Sequence, residues 1–89
     1  MKARFPLFKS PHESYAVILE EAEETEEALE DAKGVLSLFW DKVRGKKASP
    51  LIETVTHPEY MAEVFALVAC EAIQAAAMCL KYGLSVDQE

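Results

Sequence analysis

From Tyr15 onward, apolar positions recur at intervals of three, four and seven residues. Tyr15, Ile18, Ala22, Thr25, Leu29, Leu36 and Val43 keep one azimuth within about 40° on a helical wheel, the spacing of a bundle seam. A second stretch, VFALVACEAIQAAAMCL from Val64 to Leu80, has only Glu71 and Gln74 as strongly polar side chains in its seventeen residues. Tyr60, Val64, Leu67, Val68, Ala75, Met78 and Tyr82 fall within about 60° of Glu71, which places that acid in the middle of an apolar face. Phe65, Ala69, Ile73, Ala76 and Leu80 point the other way, so this helix wants cover on both faces.

Local signals set the boundaries. Ser10-Pro11-His12-Glu13 reads as a capping box with Pro11 at the first helical position, predicting a helix from about residue 12 to 33. The pattern could run unbroken to Arg44, but Gly34 after Lys33 is where the helix would end or kink, with VLSLFWDKV continuing or restarting it as far as Gly45. Residues 45–57 form the connection: Gly45 to Pro50 is turn-prone, and Leu51 to Val55 is either a short helix or extended. Thr56-His57-Pro58-Glu59 supplies a second capping box, with Val55 and Tyr60 as its hydrophobic staple. The helix it opens is expected to run from about Pro58 to Tyr82, stop at Gly83 and fold Leu84 back, leaving SVDQE as a tail. Residues 1–9, with Phe5, Leu7 and Phe8, are expected to lie extended across a helical surface. The whole is one all-α domain over residues 1–89. Its long-helix hairpin assembles into a four-helix bundle by homo-oligomerisation, as a homodimer or homotetramer.

Composition narrows the function. Sixteen acids against nine Lys and Arg give a formal charge of -7, which argues against a nucleic-acid groove and suits a divalent cation. Cys70 and Cys79 lie on opposite sides of one predicted helix, cannot bridge each other, and read as small core residues in a reducing cytoplasm. The N-terminus lacks the continuous apolar run of a secretory signal, and the acid within the Val64–Leu80 stretch favours a buried soluble helix over a membrane span. His12 and His57 sit at helix starts and read as caps or surface groups. Phe39 and Trp40 read as core, and Arg44, Lys46 and Lys47 as a solvated loop.

The acids carry the candidate chemistry. EEAEETEEALED, from Glu20 to Asp31, places Glu20, Glu24, Glu27 and Asp31 within about 60° of one another, with Glu21 to one side. Such a run is usually a solvated face. Glu71 changes that balance, because a carboxylate among apolar neighbours needs a cation, a donor network or a proton. Mg²⁺ takes hard oxygen ligands, and Glu21 and Glu24 at i and i+3 can present two of them to one ion, with Glu20 one turn before Glu24. The competing reading satisfies Glu71 with Arg44, Lys81, a tyrosine or an amide.

PHESYAVILEEAEE resembles the segment leading into the EExxE motif of the MazG-like, all-α nucleoside triphosphate pyrophosphohydrolases, and ACEAIQAAAMCLKYG resembles their second metal helix. The resemblance covers about residues 4–30 and 60–83. It implies that Glu20, Glu21 and Glu24 form EExxE and that Glu71 opens the ExxD motif, whose fourth position is here Gln74, an oxygen ligand without the charge of Asp. It further implies Mg²⁺, with Mn²⁺ as a substitute, held by Glu20, Glu21, Glu24, Glu71 and Gln74. The implied reaction is hydrolysis of a nucleoside triphosphate to monophosphate and pyrophosphate, with Glu20 or Glu24 activating the water. A helical module that kept this fold and lost activity is the alternative, and Gln74 is its signature.

Overall fold

In a computed structural model of the chain, the described residues are 7–46 and 49–87, with the side chain of Asp87 excepted; the expectations for Phe5, Lys47 and the last two residues of the tail lie outside them. Helix α1 spans Pro11–Val43, α2 Pro50–Val55 and α3 Pro58–Asp87, with no strand among the described residues. The Ser10 hydroxyl accepts from the Glu13 amide at 3.1 Å, capping α1 as its sequence predicts, with Pro11 in the first turn.

Of the courses the sequence left open at Gly34, α1 takes the unbroken one. The hydrogen side of Gly34 faces open space, so the helix carries it at a cost of about 1 kcal/mol relative to Ala. The stop comes at Gly45, whose φ of +81° is the left-handed conformation that terminates helices. Residues 45–57 are not all linker, because Leu51 to Val55 fold as α2. Pro50 starts that helix and the Ser49 hydroxyl caps it by accepting from the Ile52 amide at 3.2 Å.

Thr56 does not cap α3. Its hydroxyl donates backward to the Ile52 carbonyl at the end of α2, and His57 Nδ1 instead accepts from the Glu59 amide at 3.3 Å. Nor does α3 stop at Gly83; it continues to Asp87. The extra turn has a tertiary reason: Ser85 Oγ donates to the Lys81 carbonyl at 2.8 Å and accepts from the Phe8 amide at 2.9 Å. Phe8 is buried there with the Lys81 ammonium 4.4 Å from its ring centre, so the described end of the lead-in docks on α3 at Phe8. Because residue 8 meets residue 85, α1 and α3 run antiparallel, in a molecule 61 × 21 × 15 Å.

Within the chain, α1 faces α3 through Ser14, Ile18, Glu21, Thr25, Ala28, Ala32 and Val35, the half-buried or buried residues of that helix at alternating steps of four and three. The facing row on α3 is Met61, Val64, Val68, Glu71, Ala75 and Met78. Ile18 and Thr25 belong to the predicted seam, whereas Tyr15, Leu29, Leu36 and Val43 remain exposed. The helices instead meet over small residues, with Ala32 fully enclosed, which lets the backbones approach closely. Hydrophobic burial is thin: Phe8, Ala28, Ala32, Val35 and Val55 are the buried apolar residues described. By length and composition α3 is also apolar enough to cross a membrane within Pro58–Val86, its most apolar 18-residue window having a mean hydropathy of 1.7.

Candidate metal centre

Steps of four and three along α1 put Glu21 on its inward row, and Glu24, one turn further, on the adjoining flank. The antiparallel register brings Glu71 of α3 to the same level. One carboxylate oxygen from each of Glu21, Glu24 and Glu71 lies within 4.8 Å of the other two. Oxygens on opposite sides of an octahedral Mg²⁺ stand about 4.2 Å apart, so small side-chain rotations close this set around one ion.

Two atoms argue that the cluster is unsatisfied by protein alone. Glu21 Oε2 and Glu71 Oε2 are shielded from solvent and have no hydrogen-bond partner. Arg44 and Lys81, the cations that the competing reading offered Glu71, are engaged elsewhere among the described residues, as are Lys42 and Lys46. Arg44 bonds Asp41 at 2.8 Å and stacks over Trp40, Lys46 reaches Asp41 at 3.4 Å, Lys42 reaches Glu53 at 3.4 Å, and Lys81 lies over Phe8. Asp41 is held below the usual aspartate range, first by its bond to Arg44 and further by Lys46.

The acids of the cluster move the opposite way. Glu21 is pushed above the ordinary glutamate value by desolvation first, then by the charges of Glu24 and Glu20. Glu24 is pushed up by desolvation, then by a hydrogen bond to Glu71 and the charges of Glu71, Glu20 and Glu27. Two carboxyl groups can bond only by sharing a proton, so the cluster without a cation holds on to protons.

Of the predicted ligands, the structure thus gathers Glu21, Glu24 and Glu71. Glu20 is exposed beside them and acts on Glu21 and Glu24 through its charge. Gln74 is exposed one turn beyond Glu71, about 60° around the helix towards the Glu24 side. The inward position of Glu21 was missed by the sequence reading. Its signal was the small-residue row Ser14, Ala28 and Ala32, which is in phase with Glu21.

A shallow cavity of about 160 Å³ opens two turns before Glu21, between Ser10, Ser14, Phe8, Tyr82 and Ser85. It is smaller than the roughly 300 Å³ at which small-molecule sites begin. No family model, curated protein or solved structure matches this chain.

Proposed function

We propose that the chain is a Mg²⁺-dependent nucleotide pyrophosphohydrolase of the MazG-like kind, cytoplasmic and homo-oligomeric, converting nucleoside triphosphates to monophosphates and pyrophosphate. The observation that supports this most is the pair of orphaned oxygens on Glu21 and Glu71, within a three-carboxylate cluster that spans two helices. Solvated acidic faces do not bury oxygens without partners. Glu21, Glu24 and Glu71 are the residues that would hold the ion, with Mn²⁺ as an acceptable replacement and the Gln74 carbonyl and Glu20 at its margin. Bound there, Mg²⁺ supplies positive charge for phosphate oxygens and lowers the repulsion that a triphosphate meets from a chain of net charge -7. Glu20 and Glu24 are the candidates for orienting the attacking water and taking its proton. Glu24 already carries a raised affinity for one.

One observation favours a second reading. Gln74 stands where the ExxD motif places an acid, and it is exposed and uncharged. In that reading the chain is a helical module that binds nucleotide or protein without turnover.

Pyrophosphate release from a panel of NTPs and dNTPs with Mg²⁺ separates the two. The hydrolase reading expects release that Glu71→Ala abolishes and Gln74→Asp raises about tenfold, a change of about 1.4 kcal/mol in barrier. Background release with every nucleotide, from the parent and from Gln74→Asp alike, rejects it in favour of the module.

A further inference from the structure

Three carboxylates converge in the candidate metal centre, and the place beside them on α3 holds an amide. One oxygen from each of Glu21, Glu24 and Glu71 lies within 4.8 Å of the other two, which is the span of a single ion's shell. Glu20 stands outside that set, exposed and about 40° further round α1 than Glu24. Gln74 is exposed one turn beyond Glu71 on the Glu24 side, where its carboxamide offers an oxygen without a charge.

Charge decides how many ions such a set keeps. Paired divalent ions at phosphate-cleaving sites stand about 3.5–4 Å apart and repel about four times as strongly as two unit charges at that distance. Only anionic ligands on and between them offset this. With Glu21, Glu24 and Glu71 ionised, one dication leaves one negative charge over, whereas two dications would leave one positive charge between the helices. The next inward residues are Ile18, Thr25, Val68 and Ala75, which have no carboxylate to give. An acid in place of Gln74 would bring the set to four charges and balance two ions. Glu20 does not substitute for it, because its exposed charge is screened by water. A triphosphate changes the balance, since its own anionic oxygens ligate Mg²⁺.

We propose that the resting site holds one divalent ion, that Gln74 is the residue limiting it to one, and that a second ion enters only with the nucleotide. The phosphates and the Gln74 carbonyl are the ligands available to that second ion. The substrate form is then the metal–nucleotide chelate and not the free nucleotide. This inference rests on the metal-dependent reading above and adds to it the number and origin of the ions.

Mn²⁺ serves as the probe, because the free ion's paramagnetic resonance signal is lost on binding and two ions about 4 Å apart give a coupled spectrum. Titration of the full chain in about 0.15 M salt, which screens exposed charges beyond about 8 Å, counts the ions bound. The parent is expected to take up one Mn²⁺ per chain with an uncoupled spectrum, and Glu71→Ala to weaken that ion a hundredfold or more. Gln74→Asp is expected to take up two and to show the coupling. Ala77→Asp adds the same charge one turn further along α3 and is expected to stay at one. With an α,β-methylene triphosphate analogue, which resists cleavage between those phosphates, the parent is expected to rise from one ion to two. Two coupled ions in the parent without nucleotide would overturn the inference and leave the hydrolase reading standing. One ion in Gln74→Asp, or two in Ala77→Asp, would overturn it as well, because position 74 would then not set the count. So would a parent that stays at one ion with the analogue. A parent that binds no Mn²⁺ would overturn the inference and the metal-dependent reading together.

Discussion

Replacing Glu71 by Gln tests the metal centre through a change of sign. The substitution keeps the side chain's shape and one carbonyl oxygen, removes a negative charge from a set whose oxygens lie within 4.8 Å, and adds an amide donor beside the proton-hungry Glu24. Without metal the parent carries two shielded oxygens that nothing satisfies. The variant relieves one of them, so metal-free Glu71→Gln is expected to melt above the metal-free parent. With metal the order reverses. A cation that binds only the folded state at one hundred times its dissociation constant adds about 2.7 kcal/mol. At 4–8 °C per kcal/mol for a domain of this size, that raises the parent's melting temperature by roughly 10–20 °C. The variant, short of one charged ligand, is expected to gain only a few degrees at the same Mg²⁺ concentration. Thermal melts of both proteins across a Mg²⁺ titration, repeated in Ca²⁺ and Na⁺, read out the crossing. Equal Mg²⁺ shifts in parent and variant, or a metal-free variant less stable than the parent, would refute the reasoning.

Other expectations follow from the same geometry. Glu21 and Glu24 have raised affinities for protons in the folded chain, so the stability they confer is present below the ordinary glutamate value near 4.5 and is lost as pH rises through their raised values. Metal-free chemical denaturation should therefore show stability falling from mildly acid towards neutral pH, and Mg²⁺ should flatten that fall. Asp41, held low first by Arg44 and further by Lys46, acts oppositely: its contribution is lost as pH falls through its depressed value, beneath the ordinary 3.8, and Arg44→Ala should reduce that contribution to the part Lys46 supplies. Ala32→Leu forces a larger side chain into a fully enclosed position and should cost about 1–3 kcal/mol in urea unfolding, unless the helices can separate to admit it. Ser10→Ala removes the cap of α1 and should cost about 1 kcal/mol, measured the same way.

The long helices were legible because their caps and periods are local. Ser10, Pro11 and the 3.6-residue pattern needed no tertiary information, and α1 and α3 lie where those signals place them. The errors share a cause. Gly83 is a helix breaker by propensity, yet α3 passes through it, because the contact of Ser85 with Phe8 outweighs about 1 kcal/mol of glycine cost; Gly34, where the sequence left both courses open, is likewise carried within α1. The seam was misplaced for a related reason. Tyr15, Leu29, Leu36 and Val43 are the stronger hydrophobes, but the inward row of α1 is the one whose alanines permit close approach. Periodicity announces that a face is apolar, and it does not say which neighbour covers it.

The three acids that the structure gathers were all named from the sequence, and what was not read from it is that Glu21 lies on the inward row. Glu71 stood out because its helix has so few polar residues. Glu21 was named as a ligand by its i, i+3 spacing to Glu24 and by the EExxE resemblance, but it was set to one side of the acidic face, and only the small-residue row Ser14, Ala28 and Ala32 in phase with it marks it as inward. In the structure both sit on the rows along which the helices meet, and both hold an oxygen that no donor reaches. Packing does not require this. The neighbouring inward positions are Ile18, Thr25, Val68 and Ala75, and an apolar residue at 21 or 71 would continue those rows without desolvating a charge. Two like-charged side chains facing each other at one level of a hairpin weaken it, and Glu24 adds a third. A chain with so little buried apolar surface has scant stability to spend on such an arrangement. A proton held by Glu21 or Glu24 relieves part of that repulsion, and in the function proposed above a positive ion would restore at this level what the three carboxylates take away.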